Sequence, residues 1–412
     1  MPPTSTRRSI NLHYGWVIAF TGTAVIFACL GLGRFALGML LPAMGAALDL
    51  SYVRMGLIGT GNFIGYMFAV ALAGYVAQHL GARLTITLGL VLVGITMMLV
   101  GRAEHYLQIL PLYVATGIGS GLSNVPLMGL VSHWFLKEAR GRAAGIMLSG
   151  NGIAILGAGL YVPWINTRFG MDGWRYGWVT MGVVVLGIAI MTAVLLRNDP
   201  QEKGTTPLGR QGDSLNVTAE ARDSPSGKTK WIMIHLGSIY ALFGATYVVY
   251  ATFIVTTLVD EHGFSEQVAG NFWAVVGALS IFSGPLFGWL SDRWGRRTGM
   301  LTVFTLFTLA YGLVGMHLPT AWLYASIALY GISVWSVPTI MAAAVGDYLG
   351  PTRAAKAFGF ITLFFGMGQI IGPALAGFLA DATGTFRIAF GMCAAATLTA
   401  VILTFFLPRT RP

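Results

Sequence analysis

Runs of about twenty apolar residues recur along this chain, each closed by a short polar or glycine-containing turn. That is the length a helix needs to cross the ~30 Å hydrocarbon core of a bilayer. The runs predict helices near 16–44, 55–77, 84–101, 107–132, 142–165 and 174–196. A second set follows near 231–258, 267–290, 299–317, 321–346, 356–380 and 386–407. Between the sets lies 197–230, rich in Asp, Glu, Lys, Arg, Gly, Ser and Thr, with the composition of a solvated linker. The pattern predicts an all-α polytopic membrane protein of twelve transmembrane helices. Its parts are an N-terminal six-helix half (1–196), the linker (197–230) and a C-terminal six-helix half (231–412).

The two sets of helices repeat one another. A shift of 214 residues lays Ser51 on Ser265, Gly56 on Gly270, Gly74 on Gly288, Gly81 on Gly295 and Arg83 on Arg297. The same shift lays Gly117 on Gly331, Gly145 on Gly359, Gly152 on Gly366 and Gly170 on Gly384. Chance matches between glycines would not hold one offset from residue 51 to residue 170. Two six-helix bundles in the same orientation imply a pseudo-twofold axis along the membrane normal, with a binding site between them near the midplane.

Composition agrees with a chain that faces lipid. Of 412 residues, 55% are hydrophobic and 10% charged, and the mean hydropathy is +0.71. The net charge of +10 reflects topology. Nineteen of the 25 Lys and Arg fall on the side of the two termini and the linker, and five on the opposite side. By the positive-inside rule that bias predicts an inner-membrane protein with both ends in the cytoplasm, and no nucleic-acid partner is needed to explain the charge. Arg7 and Arg8 read as the inside flank of a retained first helix. Cys29 and Cys393 lie singly in apolar runs, and no nucleophile elbow, metal-spaced histidines or phosphate loop is present. Neither an enzyme nor a metal or cofactor site is expected.

After the eighth helix the chain reads Gly288-Trp-Leu-Ser-Asp292-Arg293-Trp-Gly295-Arg296-Arg297. This decapeptide resembles the signature of the major facilitator superfamily at every constrained position. The first-half copy, Gly74 to Arg83, is degenerate, with Gln78 where the acid belongs. The resemblance implies the major facilitator fold, transport by alternating access, and a monomer. It also implies a cytoplasmic gate of Gly288, Asp292, Arg293, Gly295, Arg296, Arg297 and Arg142, with Gly74, Gln78, Gly81 and Arg83 as the counterpart. Asp292 is expected to meet the positive N-terminal end of the fifth helix, around Gly141 and Arg142, while Gln78 makes a weaker latch facing the eleventh.

Further segments resemble monocarboxylate and oxalate–formate carriers. These are Tyr14-Gly15-Trp16, the stretch Gly117 to Pro126, and Arg142 to Gly150. Arg34 lies 18 residues past Trp16, where a lysine stands in monocarboxylate carriers. The eighth and eleventh helices depart from that pattern, with no arginine or aspartate between Gln267 and Ser291 and no charge between Lys356 and Asp381. Gly31 to Met44 looks more like another bacterial facilitator group.

Arg34 is the one charged residue well inside a predicted span. A buried guanidinium costs at least about 3 kcal/mol on insertion scales, so it needs a partner or a wet cavity, and it keeps its proton at any relevant pH. It can snorkel to an interface, bind backbone carbonyls as a strut, or hold an anion. No Asp or Glu lies in the core of any span, so a substrate anion is the matching charge that remains. One arginine favours a monocarboxylate, and a proton can accompany it. At comparable depth stand Asn62, Asn124, Asn151, Tyr247, Tyr250, Asn271, Trp273, Trp335 and Gln369 as candidate substrate contacts. The expected function is proton-coupled transport of a small organic anion. The alternative is a proton-driven multidrug or metabolite exporter of the same superfamily.

Overall fold

The computed structural model describes residues 13–209, 226–316 and 318–408. Arg7, Arg8 and linker residues 210–225 lie outside the described residues. Eleven helical stretches among the described residues are long and apolar enough to cross a bilayer. One of them, Glu138–Leu195, has 58 residues. At about 1.5 Å per residue it would be nearly three bilayers long. It folds back at Gly170, whose φ of +60° suits a residue without a Cβ, and forms two antiparallel spans. The spans therefore number twelve, as the apolar pattern predicts.

In chain order they are α1 (Tyr14–Leu48), α2 (Tyr52–Leu80), α3 (Ala82–Val100), α4 (Tyr106–Trp134), α5 (Lys137–Phe169) and α6 (Gly173–Leu195). The second half comprises α7 (Ser226–Thr256, extended by a π-helical turn Thr257–Glu261), α8 (Glu266–Trp294) and α9 (Arg296–Gly315), followed by α10 (Ala321–Leu349), α11 (Pro351–Thr383) and α12 (Arg387–Phe405). Large apolar side chains such as Phe68, Phe282, Ile371 and Phe378 are exposed on the outer faces of these spans, where lipid covers them.

The 214-residue repeat is visible atom by atom. Ser51 and Ser265 each cap a helix by accepting the backbone N–H three residues on, from Arg54 and Val268, both at 3.4 Å. Gly81 and Gly295 share one conformation, φ +79°, ψ 153° and φ +89°, ψ 152°, at the turn from the second helix of each half to the third. Contacts between the halves repeat as well. A Cβ on Gly56 of α2 would strike the Pro373 carbonyl of α11, and one on Gly270 of α8 would strike the Gly159 carbonyl of α5. The same offset relates Gly56 to Gly270 and Gly159 to Pro373.

These seams lie on the side opposite the linker. Gly38 meets Ala251, Gly152 meets Gly277, and Gly377 meets Tyr52 and Val53, all backbone to backbone. Toward the linker side, nothing lies within 4 Å of a Cβ placed on Gly74, Gly141, Gly145, Gly346 or Gly359. Hydrogen bonds from Asp381 to Tyr52 and Val53 and from Glu266 to Asn166 join the halves on the far side as well, and among the described residues the linker-side ends stand apart.

The described part of the linker is largely exposed, as a solvated segment should be, but it is not free. Its first part docks on the N-terminal half. Leu208 N–H donates to the Trp134 carbonyl (2.8 Å), Leu136 N–H donates to Leu208 (2.9 Å), and Trp134 Nε1 donates to the Arg197 carbonyl (3.0 Å). Asp199 and Glu202 close a capping box over a short helical turn, Pro200–Lys203. Composition marked the segment as polar, but polar side chains also bind exposed helix ends.

Packing within a half relies on the same device as the seams. A Cβ on Gly65 would overlap the Val114 carbonyl across α2 and α4. Overpacking costs about 1–3 kcal/mol. Gly65→Val is expected to lower the apparent melting temperature in detergent by several degrees, and Gly145→Val to leave it unchanged, as read by a thermal-shift assay.

Candidate functional site

The middle of α1 departs from α-helical geometry over Phe27–Phe35, nine residues of π-helix that include Arg34. Gly31 and Gly33 permit it, since neither has a Cβ to clash with Ala154 of α5 or Val93 of α3. Two carbonyls in the segment are taken by α4. Ser120 Oγ donates to Cys29 (2.6 Å) and Tyr113 Oη donates to Arg34 (3.1 Å). Widening the helix turns Arg34 into the protein, where it is 9% exposed.

Its guanidinium is held from α2. Nε donates to Asn62 Oδ1 at 3.1 Å, and the cation lies over the rings of Phe63 (4.5 Å) and Tyr66 (4.3 Å). Asn62 Nδ2 donates in turn to the Tyr113 carbonyl (3.3 Å), which closes a ring of contacts among α1, α2 and α4. A charged hydrogen bond contributes about 1.5–3 kcal/mol and a desolvated cation–π contact about 2 kcal/mol. Those contacts offset the cost of burial without neutralising the charge. Among the described residues Arg34 is the one charged side chain that is buried, and no buried acid faces it. Its Nη2 has no hydrogen-bond partner.

The C-terminal half faces Arg34 with an aromatic wall. Phe35 meets Trp335 edge-on at 5.2 Å, Trp335 meets Tyr247 at 6.2 Å, and Tyr247 stacks on Phe365 at 5.8 Å. Tyr247 Oη accepts a hydrogen bond from Gln369 Nε2 and lies within electrostatic reach of Arg34. Trp335 sits where α10 is broken, between Ser333 and Ser336, with its backbone N–H on Ser283 Oγ (3.0 Å) and its Nε1 unpartnered. Between Arg34, Asn62, Val248 and Thr252 a void of about 10 Å³ remains, room for one water molecule.

The structure brings together Arg34, Asn62, Tyr247, Trp335 and Gln369. Asn124 joins them through its Nδ2 donation to Tyr66 Oη at 2.8 Å, leaving its own Oδ1 unpartnered. Asn151 is buried on α5 with a free Oδ1, on the face between the residues that meet α1 and those that meet α8. Two expected contacts, Tyr250 and Asn271, fall elsewhere. Tyr250 bonds Ser326 (2.9 Å) and stacks on Tyr330 inside the C-terminal bundle. Asn271 is exposed, paired with Gln267 on the far-side half of α8. Trp273 is buried there with no hydrogen bond to its Nε1. Tyr250 shares the depth of the site, but depth does not say which face of the helix turns toward Arg34. Phe63, Tyr66 and Tyr113 escaped the sequence reading for the same reason.

On the linker side the gate residues bond within their own halves. Arg296 Nε donates to Asp347 (2.6 Å), and its Nη1 reaches Ser291 Oγ (2.8 Å) and Asp292. Asp292 is therefore not on the start of α5, and Arg142 lines a separate cavity of about 610 Å³ with Trp16, Phe135, Glu138 and Leu208. Arg83 donates from Nε to the Ala193 carbonyl (2.8 Å), and Gln78 is exposed. Arg293 and Arg297 lie over the rings of Trp289 and Phe405. Contacts across this side would require the halves to rock together.

Residues 26–405 match the family described as the uncharacterised MFS-type transporter YbfB. The chain belongs to this major facilitator family. A carrier called monocarboxylate transporter 11, from Mus musculus, is 27% identical over 97% of this chain and 88% of its own length. A hexuronate transporter from Bacillus subtilis is 26% identical over 87% of this chain and 86% of its own. Among solved structures, a bacterial homologue of the lysosomal transporter Spinster superposes with a TM-score of 0.72 at 14% identity, covering 95% of each chain. The facilitator is thus a multi-pass membrane transporter of two six-helix bundles.

Because Asn62 is the acceptor for the buried Arg34 Nε, its loss leaves a charged donor unsatisfied and removes the tie to the Tyr113 carbonyl. Asn62→Leu is expected to destabilise the protein by about 2–4 kcal/mol. The check is a drop of several degrees in apparent melting temperature, larger than for Asn271→Leu on the exposed face.

Proposed function

We propose that this facilitator is a secondary carrier of a small organic anion, a monocarboxylate, in an inner membrane with both termini in the cytoplasm. The observation that carries this reading is Arg34, a buried cation between the halves with an unpartnered Nη2 and, among the described residues, no buried acid to match it. A carboxylate arriving there completes the ion pair, and in a water-poor site that pairing is strong. Trp335, which packs on Phe35 and Tyr247, has a second unpartnered donor in its Nε1, and Tyr247, Gln369 and Asn124 can contribute polar contacts. The two relatives described above carry names of anion carriers, which agrees with this reading.

The carrier works by alternating access as a monomer, and the splayed linker side is its inward-open face. When that side closes, Asp292 exchanges Arg296 for the N-terminus of α5, and Gln78 approaches α11. With no buried acid to titrate among the described residues, a coupling proton travels with the carboxylate.

The test is uptake of labelled lactate, benzoate and oxalate into proteoliposomes, with and without an inward proton gradient. A monoacid is expected to accumulate with the gradient, and Arg34→Gln to reduce its uptake at least about tenfold in a folded protein. Normal transport by that variant, or no movement of any acid, would make Arg34 a strut and favour the exporter. Asp292→Asn is expected to slow net transport while leaving substrate binding to the inward-open form unchanged, as measured by thermal shift with substrate.

A further inference from the structure

On the far side, three carboxylates of the C-terminal half bind donors of the N-terminal half. Asp381 at the end of α11 accepts from the first two N–H groups of α2, with Oδ1 on Tyr52 N (2.7 Å) and Oδ2 on Val53 N (3.0 Å). Asp260 accepts from Tyr52 Oη (3.2 Å), and Glu266 accepts from Asn166 Nδ2 (2.7 Å). We propose that Asp381 is the latch that holds the far side shut, and that its release from the N-terminus of α2 is the step that opens the carrier outward.

The first N–H groups of a helix have no partner within it and sit at its positive end. Asp381 satisfies two of them with both oxygens, a charge-assisted pair that exists only while the halves touch. Glycine sets the register. Gly377, one turn before Asp381, lies against the Tyr52 and Val53 backbone, and Gly56 lies against Pro373 one turn further in. The other seam lacks this device, because the repeat places Thr167 where Asp381 stands. Both seams therefore carry a carboxylate, which accepts from the helix-terminal N–H groups of α2 at the α2–α11 seam and from the Asn166 side-chain amide at the α5–α8 seam. Asp381 is also exposed, so water can solvate the carboxylate once it is released, which makes the contact reversible. On the linker side the corresponding acid, Asp292, is already held by Arg296 within its own half.

The proposal rests on alternating access, and the experiment separates the two. Cys29 and Cys393 are replaced by serine. Thr252→Cys, buried on the far side of Arg34, then reports far-side opening to a membrane-impermeant maleimide in right-side-out vesicles. Gly145→Cys, where a side chain has free space, reports the linker side in inside-out vesicles. Asp381→Asn is expected to raise the far-side labelling rate about tenfold without raising the linker-side rate. Asp381→Glu should return it toward the parent. If Asp381→Asn does not reach the membrane, Asp381→Thr takes its place, since threonine serves at the equivalent position. An unchanged far-side rate in the Asn or Thr variant, or a rise on both sides together, would overturn the latch. A bulky maleimide fixed on Gly145→Cys wedges the linker side open and should then abolish far-side labelling. Labelling that rises in Asp381→Asn yet survives the wedge would leave the latch standing and remove alternating access.

Discussion

A cation inside a bilayer protein must be solvated by the protein itself, and Arg34 shows how that is done without an acid. Its Nε goes to Asn62, its face to Phe63 and Tyr66, and its backbone carbonyl to Tyr113. Each partner comes from a helix other than α1, so the N-terminal half is organised around one guanidinium. The π-helical turn follows from the same requirement, because it turns Arg34 inward and leaves carbonyls that Ser120 and Tyr113 then take up. Rings and amides solvate the charge but do not cancel it. That remaining charge is what a ligand can use.

The closed far side depends on a different force. No hydrophobic effect drives helices together in lipid, so contact relies on van der Waals packing and on hydrogen bonds. Glycines at Gly38, Gly56, Gly270, Gly277 and Gly377 bring backbones of opposite halves into contact. The pseudo-twofold axis doubles this arrangement through equivalent positions, so a geometry that serves one seam serves the other. The donor then distinguishes the seams, since a carboxylate meets the N-terminus of α2 at one and the Asn166 side-chain amide at the other.

Much of the architecture was legible in the chain. Apolar runs long enough to span lipid have few folded outcomes, because every backbone N–H and C=O must be satisfied within the segment. Twelve spans, the duplication at a 214-residue offset and the buried Arg34 followed from that constraint. The decapeptide from Gly288 to Arg297 marked the superfamily through a turn whose Gly295 needs a positive φ. The chain did not show that Arg296 would bind Asp347 as well as Asp292, or that residues 197–209 would dock on the N-terminal half.

What the sequence determined by itself was which segments enter the membrane, in what order, and at what depth Arg34 lies. Those are properties of segment length and hydropathy, and they need no knowledge of neighbours. Tertiary structure decided which residues at that depth meet. Tyr247 and Tyr250 are three positions apart on one helix, yet the first faces Arg34 and the second packs against Tyr330 in its own bundle. In a soluble helix a polar stripe marks the side that faces water. Here lipid and the protein interior are both apolar, so the pattern along a span carries little record of which face turns inward, and only the packed helices supply it.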